Sequence, residues 1–167
     1  MSSLRSWFEW VDALPSSVAI RESIYGYPVL LTSHVISMCL FAGLIIVMDL
    51  RLLGVGQTRT PFTEVQRRLF PWQMAGLTVN AITGSILFYG QPMRYYANVF
   101  FWTKVSMMVL ALINALAFHW MTYQSVDTWD VNRALIPRAA KLAGIVSIVL
   151  WAGVIITGRM TAYNWFQ

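Results

Sequence analysis

The sequence predicts an all-α integral membrane protein, an up-and-down bundle of four transmembrane helices preceded by an amphipathic helix at the membrane interface. Of its 167 residues, 57% are hydrophobic and only 11% are charged, whereas about a quarter of the residues in soluble domains are charged. Four apolar stretches each reach the roughly 20 residues that a helix needs to cross about 30 Å of hydrocarbon. They cover residues 28–53, 71–89, 98–123 and 137–160. The chain is therefore expected to form one membrane domain, residues 1–167.

The N-terminal segment, residues 1–26, has the pattern of a helix that lies in the membrane interface. Its apolar residues recur at helical spacing, at Leu4, Trp7, Phe8, Val11 and Leu14. The charged residues fall between them, as expected for an interfacial helix. A soluble helix that binds another protein is the alternative, because Trp7 and Trp10 suit either role. Charges scattered through the segment are not typical of a cleaved secretory signal, so we expect the segment to be retained.

Short polar or turn-rich connections separate the four spans and leave no room for a soluble domain. They are residues 54–68, 90–97 and 124–136. Pro71 and Pro137 stand where spans begin, and a proline at that position loses no helical hydrogen bond. In the first connection, Thr60 and Pro61 predict the N-cap and the first residue of a second short interfacial helix.

The distribution of basic residues predicts the orientation of the bundle. The side with the first and third connections carries Arg51, Arg59, Arg67, Arg68, Arg133, Arg138 and Lys141. The opposite side carries Arg5, Arg21, Arg94 and Arg159, with Lys104 just inside it. Since basic residues are enriched on the cytoplasmic side of a membrane, we expect the first side to be cytoplasmic. Both termini would then be periplasmic in a bacterial inner membrane.

Three nitrogen-bearing side chains inside the spans share one depth. At about 1.5 Å per helical residue, His34 in the first span and Lys104 in the third both lie about 9 Å from the outer surface. Arg159, near the end of the fourth span, comes close to the same level, and Gly84 of the second span leaves space beside it. No acidic residue of the spans balances these groups there. Because polar groups inside a membrane mark functional sites, we expect an anionic or electron-rich ligand at this level.

His34 and His119 are the only histidines and the candidate metal ligands. In an up-and-down bundle the first and third spans run parallel, which separates the two histidines by about 20 Å in depth. They therefore cannot bind the same haem. Met48 lies near the level of His119 as a candidate thioether ligand, although methionines at such positions usually fill the core. The alternatives are a hydrogen-bonded core histidine for His34 and a contact with the helix C-terminus for His119.

Other residues of the spans are expected to serve packing. Three inward stripes are predicted: His34, Met38, Phe41, Ile45 and Met48; Gly76, Asn80, Thr83 and Leu87; Gly144, Ser147, Trp151, Val154 and Gly158. Asn80 and Asn114, near mid-membrane, are expected to hydrogen-bond between helices. Asp49 and Arg51 are expected to form a charge pair or network at the cytoplasmic boundary. The candidate basic partners are Arg68, Arg138 and Lys141. The single cysteine, Cys39, excludes an internal disulfide and a covalent haem motif.

Several short strings resemble a known family. They are His34 followed by Gly43 and DLRLLG at 49–54; Pro71 with Gly76 and Thr83-Gly84; Lys104 with Asn114 and Phe118-His119; and Gly158-Arg159 with Ala162-Tyr163. Together they resemble a family of small bacterial inner-membrane proteins of unknown function, over about residues 20–163. The resemblance implies a four-helix membrane domain and no established activity. The pattern is also loosely similar, in architecture, to haem-binding bundles such as b-type cytochrome subunits and the haem-dependent protoporphyrinogen oxidase family.

These observations favour a small membrane subunit that binds a redox cofactor, haem b or a quinone, near the periplasmic side. His34, Lys104, Arg159 and Gly84 would form the site, and the subunit would exchange electrons with a protein partner in or at the membrane rather than act as a stand-alone enzyme. The alternative is a non-redox membrane anchor or accessory subunit whose cationic cluster holds a lipid phosphate. Membrane lipids and a second copy of the chain are further expected partners. Nucleic acid is not, since no basic stripe is present.

Overall fold

The computed structural model describes residues 2–56, 60–130 and 135–163, and this part of the chain is helical without a strand. The helices are α1 (Ser2–Asp12), α2 (Pro15–Glu22), α3 (Gly26–Leu52), α4 (Phe62–Gly90), α5 (Pro92–Tyr96), α6 (Val99–Met121), α7 (Val126–Trp129) and α8 (Arg138–Met160). The predicted all-α fold is confirmed, and the ends of α3, α6 and α8 fall within two residues of the predicted spans.

Three segments are long and apolar enough to cross a membrane, which indicates a membrane protein. They are α3, the segment Val99–Trp129 that contains α6, and α8. Most of their large apolar side chains, such as Val35, Leu112 and Val149, point away from the bundle. Helix α4 is as long as these helices but more polar, so its hydropathy alone does not indicate that it crosses a membrane.

Helix α3 lies between α4 and α8, and α8 packs in turn against α6. Glycines make the two contacts of α3 close. A Cβ atom at Gly76 would lie 3.2 Å from the backbone nitrogen of Phe41, and one at Gly144 would lie 3.1 Å from the carbonyl oxygen of Asp49. The predicted inward stripes are confirmed at the buried residues Phe41, Met48, Gly76, Thr83, Leu87, Gly144, Ser147 and Val154. The predicted interhelical bonds are also confirmed, because Asn80 donates to the carbonyl oxygen of His34 and Asn114 to that of Ala143.

A cluster of buried hydrophobic residues lies at one end of the bundle, which we call the Trp129 end. It is formed by Met48, Leu52, Phe62, Val126, Trp129 and Ala140. The opposite end, which we call the His34 end, holds the start of α3 and the ends of α4 and α8. Met48 packs inside this cluster, which confirms the interpretation that it fills the core.

Helix α4 differs from its prediction at both its start and its cap. It runs without interruption from Phe62 through Pro71, so the expected short interfacial helix and the second span are one helix. Pro61 precedes it without a side-chain cap, and Thr60 does not supply one either. Instead the carboxylate of Asp130 accepts hydrogen bonds from the backbone N–H groups of Phe62 and Thr63. A carboxylate at this place satisfies unpaired helix donors and interacts favourably with the helix dipole.

The N-terminal segment forms two helices rather than one, because the first helix ends at Asp12 and the second begins at Pro15. Phe8 of α1 is buried and contacts Tyr96 at a ring-centroid distance of 4.9 Å, while Trp7 and Trp10 are exposed. In α2, the fully buried Ser17 donates its hydroxyl hydrogen bond to the carbonyl oxygen of Tyr89, 2.9 Å away. The segment therefore caps the C-terminal end of α4 at the His34 end.

Candidate functional site

His34 is fixed by α4. Its Nδ1 lies 3.2 Å from the carbonyl oxygen of Asn80 and 3.1 Å from Oγ1 of Thr83. A Cβ atom at Gly84 would lie 3.0 Å from Cε1 of the imidazole, so the absence of a side chain there makes room for the ring. Nε2 of His34 has no hydrogen-bond partner among the described residues. The ring is thus held on one edge and free on the other.

A cavity of about 360 Å³ adjoins His34, between α3 and α8 at the His34 end. It is lined by Tyr27, Leu31, His34, Val35, Met38, Cys39, Arg94, Tyr95, Lys104, Ile155, Gly158, Arg159, Thr161 and Ala162. None of these residues is acidic. Farther toward the Trp129 end, Phe41 and Trp151 meet edge to face between the same two helices, with ring centroids 5.0 Å apart. We call this cavity the cleft.

Lys104 and Arg159 bring positive charge to this cleft. Lys104 comes from α6 and lies beside Gly158, where a Cβ atom would be 3.7 Å from its Nζ. Within the described chain, Lys104 has no ion pair or hydrogen bond. Arg159 is exposed, with its guanidinium carbon 5.6 Å from the ring centroid of Tyr163. The structure thus brings His34, Lys104 and Arg159 together on one cavity with Gly84 behind the imidazole, and that they bind a ligand stays a prediction.

The rim of the cleft faces the apolar surface of the bundle. Leu31 and Val35 on α3 are 43% and 51% exposed, and Ile155 on α8 is 44% exposed. Cys39, the only cysteine of the chain, is exposed on the same wall. Exposed apolar side chains of α3 and α8 thus form part of the same lining as the nitrogen groups.

The short helix α5 adds an aromatic and a basic residue to the lining of the cleft. Neither residue was expected to belong to the site from the sequence. Arg94 and Tyr95 line the cleft beside Tyr27. Burial raises the pKa of the Tyr95 hydroxyl above its usual value, the nearby Tyr27 adds to this, and Arg94 partly offsets it. The connecting helix could be recognised from Pro92, but nothing local indicates that two of its side chains reach the cleft.

Asn98 is a further residue that sequence reasoning did not assign. Its side chain is fully buried, accepts a hydrogen bond from the backbone N–H of Phe101 and donates one to the carbonyl oxygen of Thr161. It thereby caps the start of α6 and ties it to the end of α8, which positions Lys104 relative to Arg159. An asparagine directly before an apolar run is a recognisable N-cap signal, although its second bond is not visible in sequence.

His119 lies far from the cleft. It follows Lys104 on α6 by about 22 Å of helix, does not line the cavity, and stacks on Tyr123 with ring centroids 5.3 Å apart. The described residues contain no group of three or more His, Cys, Asp or Glu side chains arranged to hold a metal ion. His34 and His119 therefore lie apart, as the depth argument predicted.

Asp49 does not form the expected ion pair with Arg68, Arg138 or Lys141 within the described chain. Asp49 is buried at 7% exposure against Ser147 of α8, and its Oδ2 has no hydrogen-bond partner among the described residues. Arg68 pairs with Glu64 instead, at 2.8 Å. The backbone of α3 turns Asp49 toward α8, away from the exposed basic residues.

A model of one protein family matches residues 7–164. No curated protein and no solved structure matches the chain significantly. The family match covers nearly the whole chain and agrees with the resemblance read from the strings around His34, Lys104 and Arg159. The chain belongs to the family of unknown function DUF6644.

Proposed function

We propose that this protein is a small membrane subunit that binds the ring of a lipid-soluble quinone in the cleft and exchanges electrons with a partner in or at the membrane. The observation that carries the proposal is the composition of the cleft. Four nitrogen groups, from His34, Arg94, Lys104 and Arg159, line one cavity whose described lining has no acidic residue. Apolar walls with a few convergent polar groups are typical of cofactor sites.

The shape and position of the cleft support a quinone. Its volume of about 360 Å³ is near the lower end of the roughly 300–1,000 Å³ usual for small-molecule sites, which suits a single ring. The half-exposed Leu31, Val35 and Ile155 would contact an isoprenoid tail that continues into the lipid. Lys104 and Arg159 would donate hydrogen bonds to a ring oxygen.

Haem b is the second candidate, and one observation favours it. Histidines that bind metals commonly donate their other ring N–H to a backbone carbonyl, and Nδ1 of His34 lies beside such a carbonyl at Asn80. Lys104 and Arg159 would then pair with the propionates. Against this, the lining contains no second histidine, and its two sulfur-bearing side chains, Met38 and Cys39, both follow His34 on the same helix. A porphyrin would also need more space than one ring.

We further propose that all four long helices cross a bacterial inner membrane, with both termini in the periplasm. Helix α4 lies along the apolar α3, and its polar residues Gln73, Asn80 and Thr83 face inward, which accounts for its lower hydropathy. The test is a topology reporter fused after Gln167 or inserted at Asp127. The first should report the periplasm and the second the cytoplasm, and the reverse result would overturn the orientation.

The cofactor is tested on protein purified gently in detergent. Solvent extraction should recover quinone in proportion to protein, and the absorption spectrum should lack a Soret band. A reducible Soret band in protein from a culture supplemented with a haem precursor would favour haem. Protein that is colourless and free of quinone would support the membrane anchor, with the cations on a lipid phosphate.

Substitution of the two histidines gives the matched control. His34→Ala should abolish cofactor recovery, because it removes the nitrogen that faces the cleft. His119→Ala should leave recovery unchanged, since His119 lies outside the cleft. Equal loss in both variants, with folding retained, would contradict the proposed site.

A further inference from the structure

The protonation of the His34 ring follows from its neighbours on α4. The carbonyl oxygen of Asn80, 3.2 Å from Nδ1, can only accept a hydrogen bond. The Thr83 hydroxyl, 3.1 Å from Nδ1, donates its single hydrogen to the carbonyl oxygen of Val79 at 2.7 Å and so has only lone pairs left for the ring. Nδ1 therefore faces two acceptors, and the ring proton belongs on Nδ1.

A neutral imidazole with its proton on Nδ1 presents a lone pair at Nε2. That atom is the ring nitrogen left for the cleft, because Nδ1 and Cε1 both face α4. The neutral ring adds no further positive charge to a cavity that Arg94, Lys104 and Arg159 already line. The cleft thus offers at Nε2 an acceptor that has no hydrogen to donate, beside these basic donors and beside hydroxyl groups that can both donate and accept.

We infer that the cleft selects the reduced, hydroxyl-bearing form of its ring ligand, a quinol, over the corresponding quinone. This inference rests on the proposed function. One ring hydroxyl of a quinol would donate to Nε2 of His34, and an oxygen of the ligand would accept from Lys104 or Arg159. A quinone has two carbonyl oxygens and no ring hydroxyl, so the lone pair of Nε2 would remain unmatched beside it.

The size of the preference follows from the usual cost of an unmatched polar group. Loss of one such hydrogen bond in a site shielded from water changes affinity by roughly tenfold or more. The backbone carbonyl of Asn80 is the positioning group here, since it fixes the proton on Nδ1 without contact to the ligand. The Thr83 hydroxyl adds a second acceptor that this role does not require.

The tautomer is tested first and without a ligand. The chain has two histidines, so a His119→Gln variant labelled with ¹⁵N-histidine gives the ring resonances of His34 alone. The expected ¹⁵N shifts are those of a protonated Nδ1 and an unprotonated Nε2. Thr83→Val should keep this pattern, because the Asn80 carbonyl remains. A protonated Nε2 in either protein would overturn the inference.

Affinity is tested second, under anaerobic conditions, with a decyl-tailed benzoquinol and the matching benzoquinone. The wild-type protein and the His119→Gln control should bind the quinol roughly tenfold or more tightly than the quinone. His34→Leu should bring the ratio close to one, since the acceptor is lost. If His34→Leu does not fold, the ratio in the wild type and in Thr83→Val still decides the matter.

The outcomes separate this inference from the proposed function. Equal binding of both forms, or tighter binding of the quinone, would overturn the quinol preference and leave the quinone site intact. Binding of neither form, together with absence of extractable quinone, would overturn both.

Discussion

The two ends of the interface between α3 and α8 are built differently. At the Trp129 end, Gly144 lets the two backbones approach so closely that a Cβ atom would lie 3.1 Å from the carbonyl oxygen of Asp49. At the His34 end, a Cβ atom at Gly158 would meet only the side chain of Lys104, at 3.6 Å or more. The same two helices thus form a tight contact at one end and a cleft at the other.

This difference predicts that stability and the proposed binding depend on opposite ends of one pair of helices. At the Trp129 end, a cluster of buried aromatic and aliphatic side chains fills the space, whereas the His34 end leaves the side chains of Lys104 and Arg159 around a cavity. A site that must admit a ligand cannot be packed to core density. We therefore expect substitutions at the Trp129 end to affect folding and those at the His34 end to affect binding.

The largest effect should come from Trp129→Ala. Trp129 is 2% exposed, and its indole N–H has no hydrogen-bond partner among the described residues, so the loss is one of packing. Removal of a buried aromatic side chain costs about 3–5 kcal/mol. Thermal unfolding in detergent should show a large fall in Tm. Trp120→Ala, at a site that is 67% exposed, should change Tm little, and equal effects would mean that the core does not lie at this end.

The paired glycine variants compare the two ends directly. Gly144→Ala forces α3 and α8 apart, because the neighbour is backbone and cannot move aside, and such overpacking costs about 1–3 kcal/mol. Gly158→Ala meets a flexible side chain at ordinary contact distance. It should leave the free energy of unfolding unchanged or raised, since alanine favours a helix. A greater loss of stability in Gly158→Ala would contradict the comparison.

A smaller effect is expected at the cap of α4. Asp130→Ala removes the acceptor for the N–H groups of Phe62 and Thr63, and loss of a helix cap costs about 0.5–2 kcal/mol. Asp127→Ala, an exposed neighbour in α7, is the matched control and should match wild type. Denaturation of the two variants side by side measures the difference, and quinone recovery should be unchanged in both.

The smallest effect should come from Glu64→Gln. Glu64 pairs with Arg67 and Arg68 at 2.7 and 2.8 Å, and these arginines lower the pKa of its carboxyl group. Because that pKa is lowered on folding, any contribution to stability is present above the ordinary glutamate pKa and is lost as the pH falls through the lowered one. The ion pairs lie at the surface, with the side chains of Arg67 and Arg68 78% and 72% exposed, so Tm at neutral pH should not change measurably. A clear loss at neutral pH would show a role beyond this ion pair.

Much of the fold could be predicted because the membrane restricts a chain to a few solutions. The apolar runs of α3, α6 and α8 require helices of a known length, and depth along those helices placed His34, Lys104 and Arg159 together. The uninterrupted α4 was missed because Pro71 was interpreted as a first-turn residue, although a proline inside a helix removes only one hydrogen bond. The cap from Asp130 was missed because this residue lies in the connection before α8, far along the chain from the start of α4. Local sequence does not indicate contacts between such distant segments.

The cleft also has a consequence for biosynthesis. Its wall is divided between α3, which leaves the ribosome early, and α8, which is synthesised last of the described helices. His34 can dock on Asn80 and Thr83 as soon as α4 follows it into the membrane. Gly158 and Arg159 arrive only with α8, and the bond from Asn98 to Thr161 then fixes their position. The imidazole can therefore be oriented before α8 completes the cavity, so the site is assembled from α4 first and from α8 last.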